Sequence, residues 1–95
     1  MATKWVVLYE GVGDPALMAK ARELYPEHRA RLDAFHAQGT LLMVGPFGDP
    51  VHEGAMSVWS SREAAEEFVA GDPFVLHGLV PRWHLRQWNE AFSAS

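Results

Sequence analysis

The chain contains no cysteine. That absence removes disulfides, zinc–thiolate centres and thiol nucleophiles together. With no disulfide framework, nothing points to an oxidising compartment, and a cytoplasmic location is the expectation. Met1-Ala2-Thr3-Lys4 leads directly into a strand-like run, so no signal peptide is read at the start. No stretch approaches the ~20 apolar residues of a membrane span. A basic patch is missing too. The formal net charge is −4, which argues against nucleic acid as a partner. Gly11-Val12-Gly13 lacks the third glycine of a dinucleotide fingerprint, and no glycine–serine–glycine elbow surrounds Ser57. Five histidines are present, but none has the tight spacing that fixes a metal site. Neither a metal nor an organic cofactor is therefore expected.

What is there suits one packed domain spanning residues 1–95. Apolar residues make up 48% of the chain, enough for a core and too many for disorder. A domain this small buries only roughly 60–65% of its unfolded surface. Four Trp and five Phe are more than it can fully cover, which points to a partner surface.

Punctuation divides the chain into elements. Lys4–Tyr9 reads as a buried strand. Asp14-Pro15 is an N-cap followed by a first-turn proline, opening a helix to Gln38 that Pro26 should kink or split. Gly39 stops it. Thr40–Val44 is a second strand, residues 47–53 a hairpin loop and Gly54–Trp59 a third strand. Ser60 with Glu63 fits a capping box for a helix over Arg62–Ala70, closed by Gly71. Asp72 caps a short helical turn, Arg82–Trp88 is a fourth strand, and residues 89–95 read as a loose tail. The order β-α-β-β-α-β predicts an α+β, ferredoxin-like fold: an antiparallel sheet with helices on one face. The first strand is apolar on both sides, so its open face calls for a second protomer, and a homodimer or higher homo-oligomer is expected.

His28 is the most informative residue. At about 100° per residue, Leu24 and Leu32 lie about 40° to either side of it and Phe35 about 20° away. It therefore sits in the middle of the apolar helix stripe. It can be a satisfied core histidine or a general acid–base, since imidazole titrates near neutrality and a carboxylate can orient it. Asp72 is the candidate carboxylate. It can cap the turn, serve the imidazole, or do both, because two oxygens accept several hydrogen bonds. Ser57, Phe74, His77 and Trp83 are candidates for the substrate side of such a site. For His77 the surface reading is preferred to a place in the site, and His36, about 80° round the helix from His28, reads as exposed.

Three segments carry a resemblance: Arg22 to Leu32 with its proline and histidine, Gly39 to Pro46, and Asp72-Pro73-Phe74 with the turn to Val80. In that order and spacing the chain resembles the YCII-related family. The resemblance implies a dimeric α+β barrel with two sheets packed face to face. It also implies a pocket in which a histidine and an aspartate, here His28 and Asp72, form a catalytic pair. Some relatives are linked to breakdown of chlorinated aromatics. Tyr25 stands before Pro26 where arginine is common, and His77 stands where a small residue is usual. Two functions follow. One is a cofactor-independent isomerase or lyase moving a proton on a small cyclic or aromatic acid or lactone. The other is a non-catalytic module that binds a small metabolite.

Overall fold

The computed structural model describes residues 2–94. Strand β1 (Ala2–Tyr9) leads through a 3₁₀ turn at Pro15–Leu17 into helix α1 (Met18–Ala37). Strand β2 (Leu41–Pro46), the single helical turn α2 (Pro50–Glu53) and strand β3 (Ala55–Trp59) follow. Helix α3 (Arg62–Gly71), the turn α4 (Pro73–Leu76) and strand β4 (Trp83–Glu90) complete the order. The four strands form one antiparallel sheet in the order β2-β3-β1-β4, the ferredoxin-like arrangement. Among the described residues, no helix is long and apolar enough to cross a membrane.

The sheet has two unlike faces. Trp5, Val7 and Tyr9 of β1 point toward the helices, and the pleat turns Val6 and Leu8 the other way. The helix side holds the core: Val7, Leu32, Phe35, Leu41, Trp59, Ala65, Phe68 and Val69. Its centre is aromatic. Phe35 meets both Trp59 and Phe68 edge-on, with centroids 5.6 and 5.5 Å apart. Such T-shaped contacts add about 0.5–1.5 kcal/mol each beyond burial. On the other side of the sheet Met43, Met56 and Trp88 stay exposed beside Val6 and Leu8. The two-sided apolar reading of β1 is thus what forms.

Several boundaries differ from expectation. Helix α1 runs unbroken through Pro26. Pro26 lies on the exposed side, and Arg22, whose carbonyl loses its partner, is exposed as well, so water replaces the missing bond. Residues 50–53 wind into a turn that the Glu53 carboxylate ties back to its N-cap, accepting from the Asp49 amide at 2.8 Å. Strand β4 reaches Glu90, so Asn89 and Glu90 are not tail: they pair with Thr3 and Ala2, and the Glu90 carboxylate meets Lys4. The cap of α3 is Ser61, not Ser60. The Ser61 hydroxyl accepts from the Ala64 amide at 3.1 Å. Adjacent serines offer two registers, and the one with an extended backbone next to the helix wins.

That correction is testable. Ser61→Ala is expected to cost about 1 kcal/mol, read as a lowered urea midpoint. Ser60→Ala should stay within about 0.5 kcal/mol of the parent. Equal losses from the two substitutions would reject the assignment.

Candidate active site

Two helix breaks and a strand end converge on one carboxylate. Asp72 ends α3 and caps α4, its Oδ1 accepting from the Phe74 amide at 3.1 Å. The same oxygen lies 2.7 Å from His28 Nδ1. Oδ2 accepts from the Tyr9 hydroxyl at 2.8 Å. The carboxyl group has no solvent exposure at all. An unpaired carboxylate there would carry a prohibitive desolvation penalty, and three donors offset it. With the carboxylate as acceptor, the neutral form of His28 carries its proton on Nδ1 and leaves Nε2 as the unprotonated nitrogen.

The imidazole is held from its faces as well as its edge. Phe74 stacks on it with centroids 3.9 Å apart and planes 6° off parallel. Phe68 meets it edge-on at 6.2 Å, and Tyr25 lies tilted at 6.1 Å. The side chain keeps 12% exposure. His28 makes no second hydrogen bond, and among the described residues no buried side-chain nitrogen or oxygen lacks a partner. Nε2 is therefore not sealed in. The His28 side chain borders a cavity of about 650 Å³ between α1, β2 and the loop after β1. Its size is ordinary for a small-molecule site.

Arg31 sets the spacing between the helices. Its guanidinium donates to the carbonyls of Glu67 at 2.7 Å and Phe68 at 3.2 Å, in the last turns of α3. Gly71 makes room for it: a Cβ there would stand 2.5 Å from Arg31 Nη2. Arg31 thereby pins α1 against the end of α3, one residue from Asp72.

Tyr9 is the site residue that sequence reasoning missed. Its phenol titrates well above the ordinary phenol range, first because it is buried, then because the Asp72 charge and the hydrogen bond to Asp72 oppose ionisation; Arg31 pulls weakly the other way. The hydroxyl thus remains a donor to Asp72. The signal available was its place among the helix-facing positions 5, 7 and 9 of β1, which gives the face and not the partner.

The other candidates separate cleanly. Phe74 is at the site. Ser57 is not: it is buried on the helix side beneath the core, accepting from Trp59 Nε1 at 2.8 Å, and does not line the cavity. Its hydroxyl satisfies a buried indole, which is a packing role. His77 is exposed at the end of α4, away from the cavity, as its surface reading had it. Trp83 stands opposite Tyr9 at the start of β4 and also lies outside the lining. His36 is exposed yet borders the cavity, with Nδ1 3.0 Å from the Leu41 carbonyl. Among the described residues no three His, Asp or Glu side chains gather as metal ligands.

Comparison with known proteins gives a family and a fold. The model of the YCII-related domain matches residues 4–89. Curated proteins yield no match. Among solved structures, the 5-chloro-2-hydroxyhydroquinone dehydrochlorinase of Burkholderia phenoliruptrix AC1100, in complex with 2,5-dihydroxybenzoquinone, superposes with a TM-score of 0.71. The two share 20% identity over 93% of this chain and 95% of that one.

The buried phenol makes stability depend on alkaline pH. Its folded pKa lies above the unfolded value near 10, so the folded state keeps a proton that the unfolded state loses. Its contribution is complete below pH 10 and declines above it, by about 1.4 kcal/mol per pH unit. Tyr9→Phe should flatten the fall in denaturant midpoint between pH 9.5 and 11, while lowering stability at pH 7 by about 1–2 kcal/mol through the lost donor to Asp72. Parallel pH curves for parent and variant would contradict this.

Proposed function

The chain belongs to the YCII-related family, and on that premise we propose that it is a small-molecule enzyme in which His28, oriented by Asp72, transfers a proton. The carrying observation is the 2.7 Å contact between His28 Nδ1 and a fully buried Asp72, with Nε2 left free beside the cavity. An imidazole so held presents one ring nitrogen for proton transfer. The carboxylate stabilises the imidazolium as it forms and fixes the tautomer.

The lining favours proton transfer over covalent catalysis. No Ser, Thr, Cys or Lys borders the cavity among the described residues, so the usual nucleophiles are missing. In the proposed step Nε2 takes a proton from an acidic O–H or activated C–H of a small cyclic molecule. The freed electron pair forms a new double bond or carbonyl. In elimination the pair expels a leaving group as its anion, and the imidazolium passes its proton to solvent. In isomerisation the imidazolium itself gives its proton back at another carbon, which restores the neutral ring. The name of the dehydrochlorinase of similar fold states loss of hydrogen chloride, and its bound compound is a hydroxylated quinone. Elimination from a hydroxylated ring suits the arrangement here: a stacked imidazole, an apolar wall and, among the described residues, no bordering Ser, Thr, Cys or Lys.

In this reading the working unit is a homodimer. The surface proposed to join the protomers is the uncovered sheet face of Val6, Leu8, Met43, Met56 and Trp88. Met43 is 64% exposed and Trp88 47%, large values for apolar side chains on one patch.

With chlorinated hydroxyhydroquinones as test substrates and chloride release as the readout, His28→Gln should lower turnover by at least about 10²-fold. Its circular dichroism spectrum should match the parent. Parent-like chloride release in this variant would refute the mechanism. Binding of these compounds by the parent without any product would favour the metabolite-binding module instead. Separately, Met56→Glu should shift sedimentation from a dimer to a single chain, and a parent already sedimenting as one chain would remove the dimer from the proposal.

A further inference from the structure

The cavity is much longer than the chemistry at His28 requires. Met18, Ala21, Tyr25, His28, Leu32 and His36 all border it, at the three- and four-residue spacing of one helix face. At 1.5 Å per residue that stripe runs about 27 Å, nearly the whole of α1. A hole of roughly 150 Å³ is enough for a benzene ring. This cavity, at about 650 Å³, is several times larger. A ring lying against His28 and Phe74 would fill only its middle.

Its two ends differ in chemistry. Toward the C-terminus of α1 the border includes Arg29, Asp33 and His36. Toward the N-terminus Val12, Leu17, Met18, Ala21 and Val51 form an apolar corner, with Glu10 bordering the cavity two residues before Val12. Two chain features bring these five together. The Asp14 cap starts the 3₁₀ turn that carries Leu17, and the Gly13 amide donates to the Val51 carbonyl at 2.7 Å, which closes the loop after β1 onto α2.

The charge around the cavity disfavours anions. Glu10 and Asp33 border it, and Asp72 lies directly behind His28. Of the groups that border the cavity, these two carboxylates face one guanidinium, Arg29, itself hydrogen-bonded to Asp33 at 3.0 Å and to the Tyr25 hydroxyl at 3.4 Å; behind the site, the charge of Asp72 is opposed by that of Arg31. His84, 2.8 Å from Glu10, adds positive charge only when protonated. A carboxylate-bearing ligand would meet more carboxylate than guanidinium on the lining and, among the described residues, no bordering guanidinium or ammonium without an acidic partner.

We propose that the site takes an uncharged two-part ligand: a ring bearing an acidic hydroxyl at His28 and Phe74, and an apolar extension of several carbons in the corner formed by Val12, Leu17, Met18, Ala21 and Val51. The ring end rests on the proton-transfer reading above. The extension rests only on the shape, lining and charge of the cavity.

The test is equilibrium binding, followed through the His28 ring resonances and by calorimetry, with four para-substituted phenols. One carries a methyl group, one a pentyl chain, and two carry chains of pentyl length ending in a carboxylate or an ammonium. The pentyl compound should bind more tightly than the methyl compound by roughly twofold to fourfold per added methylene. Each charged compound should bind at least tenfold more weakly than the pentyl one. Ala21→Phe, which fills the corner from an already half-buried helix position, should remove most of the chain-length dependence. A flat methyl-to-pentyl series overturns the proposal. So does tightest binding by either charged compound, unaltered chain-length dependence in Ala21→Phe, or no binding of any phenol, as when side chains of a second copy fill the corner. Turnover is not read in this experiment. A catalytically silent protein can therefore still show the extension site, and a flat series leaves proton transfer by His28 standing.

Discussion

Asp72 is an acid with no contact with water, and the arrangement of this fold around its site follows from keeping it satisfied. Its three donors come from three separate stretches of chain: the Tyr9 hydroxyl at the end of β1, His28 Nδ1 in the middle of α1, and the Phe74 amide at the start of α4. A buried carboxylate that loses a donor retains most of its desolvation penalty, whereas one with all three is comfortably accommodated. The requirement acts as a register device. If α1 slid by one turn, His28 would be carried about 5.4 Å from the acid, far beyond hydrogen-bond reach.

Arg31 enforces the same register one turn further along α1. It spans the exposed carbonyls of Glu67 and Phe68, and its guanidinium lies over the rings of Phe35 and Phe68 at 5.1 and 5.7 Å. Phe68 in turn touches the core through Phe35 and Trp59, and the site through the edge of His28. The aromatic core and the imidazole thus share a wall. A change that loosens the packing around Phe68 would also disturb the plane in which His28 is held, so stability and site geometry cannot be varied independently there.

Features that depend on local chain chemistry were legible in the sequence. Asp14-Pro15 caps and opens a turn as its residue types dictate, and Gly39 takes a φ of +82° where α1 must stop. Strand alternation gave the sheet faces, and helical periodicity placed His28 toward the interior. The capping role of Asp72 could be read from Gly71-Asp72-Pro73. Other features depend on which distant residues meet, and these were not legible. Tyr9 and Asp72 are 63 positions apart, and nothing near either one announces the other. Ser57 and Trp83 lie on strands whose pattern sets a face but not whether a cavity opens beside them. Ser60 and Ser61 illustrate a limit within local reading itself. Two neighbouring hydroxyls satisfy the same composition rule, and only the backbone angle decides between them.

The structural and the chemical role of Asp72 do not compete, although one oxygen serves both. Oδ1 receives the α4 amide and the imidazole, while Oδ2 receives the phenol, so capping uses up no lone pair that His28 requires. The contrast in exposure carries the argument further. A pair serving packing alone would be sealed on both sides. Here the acid is sealed and the base is not: Asp72 has no exposure, while His28 keeps 12% and borders a cavity. That asymmetry suits a proton-transfer group, whose orienting partner gains from a dry surrounding and whose working nitrogen must meet a ligand. The cap, the buried phenol and the stacked Phe74 can then be read as one support that holds a single nitrogen of His28 toward open space.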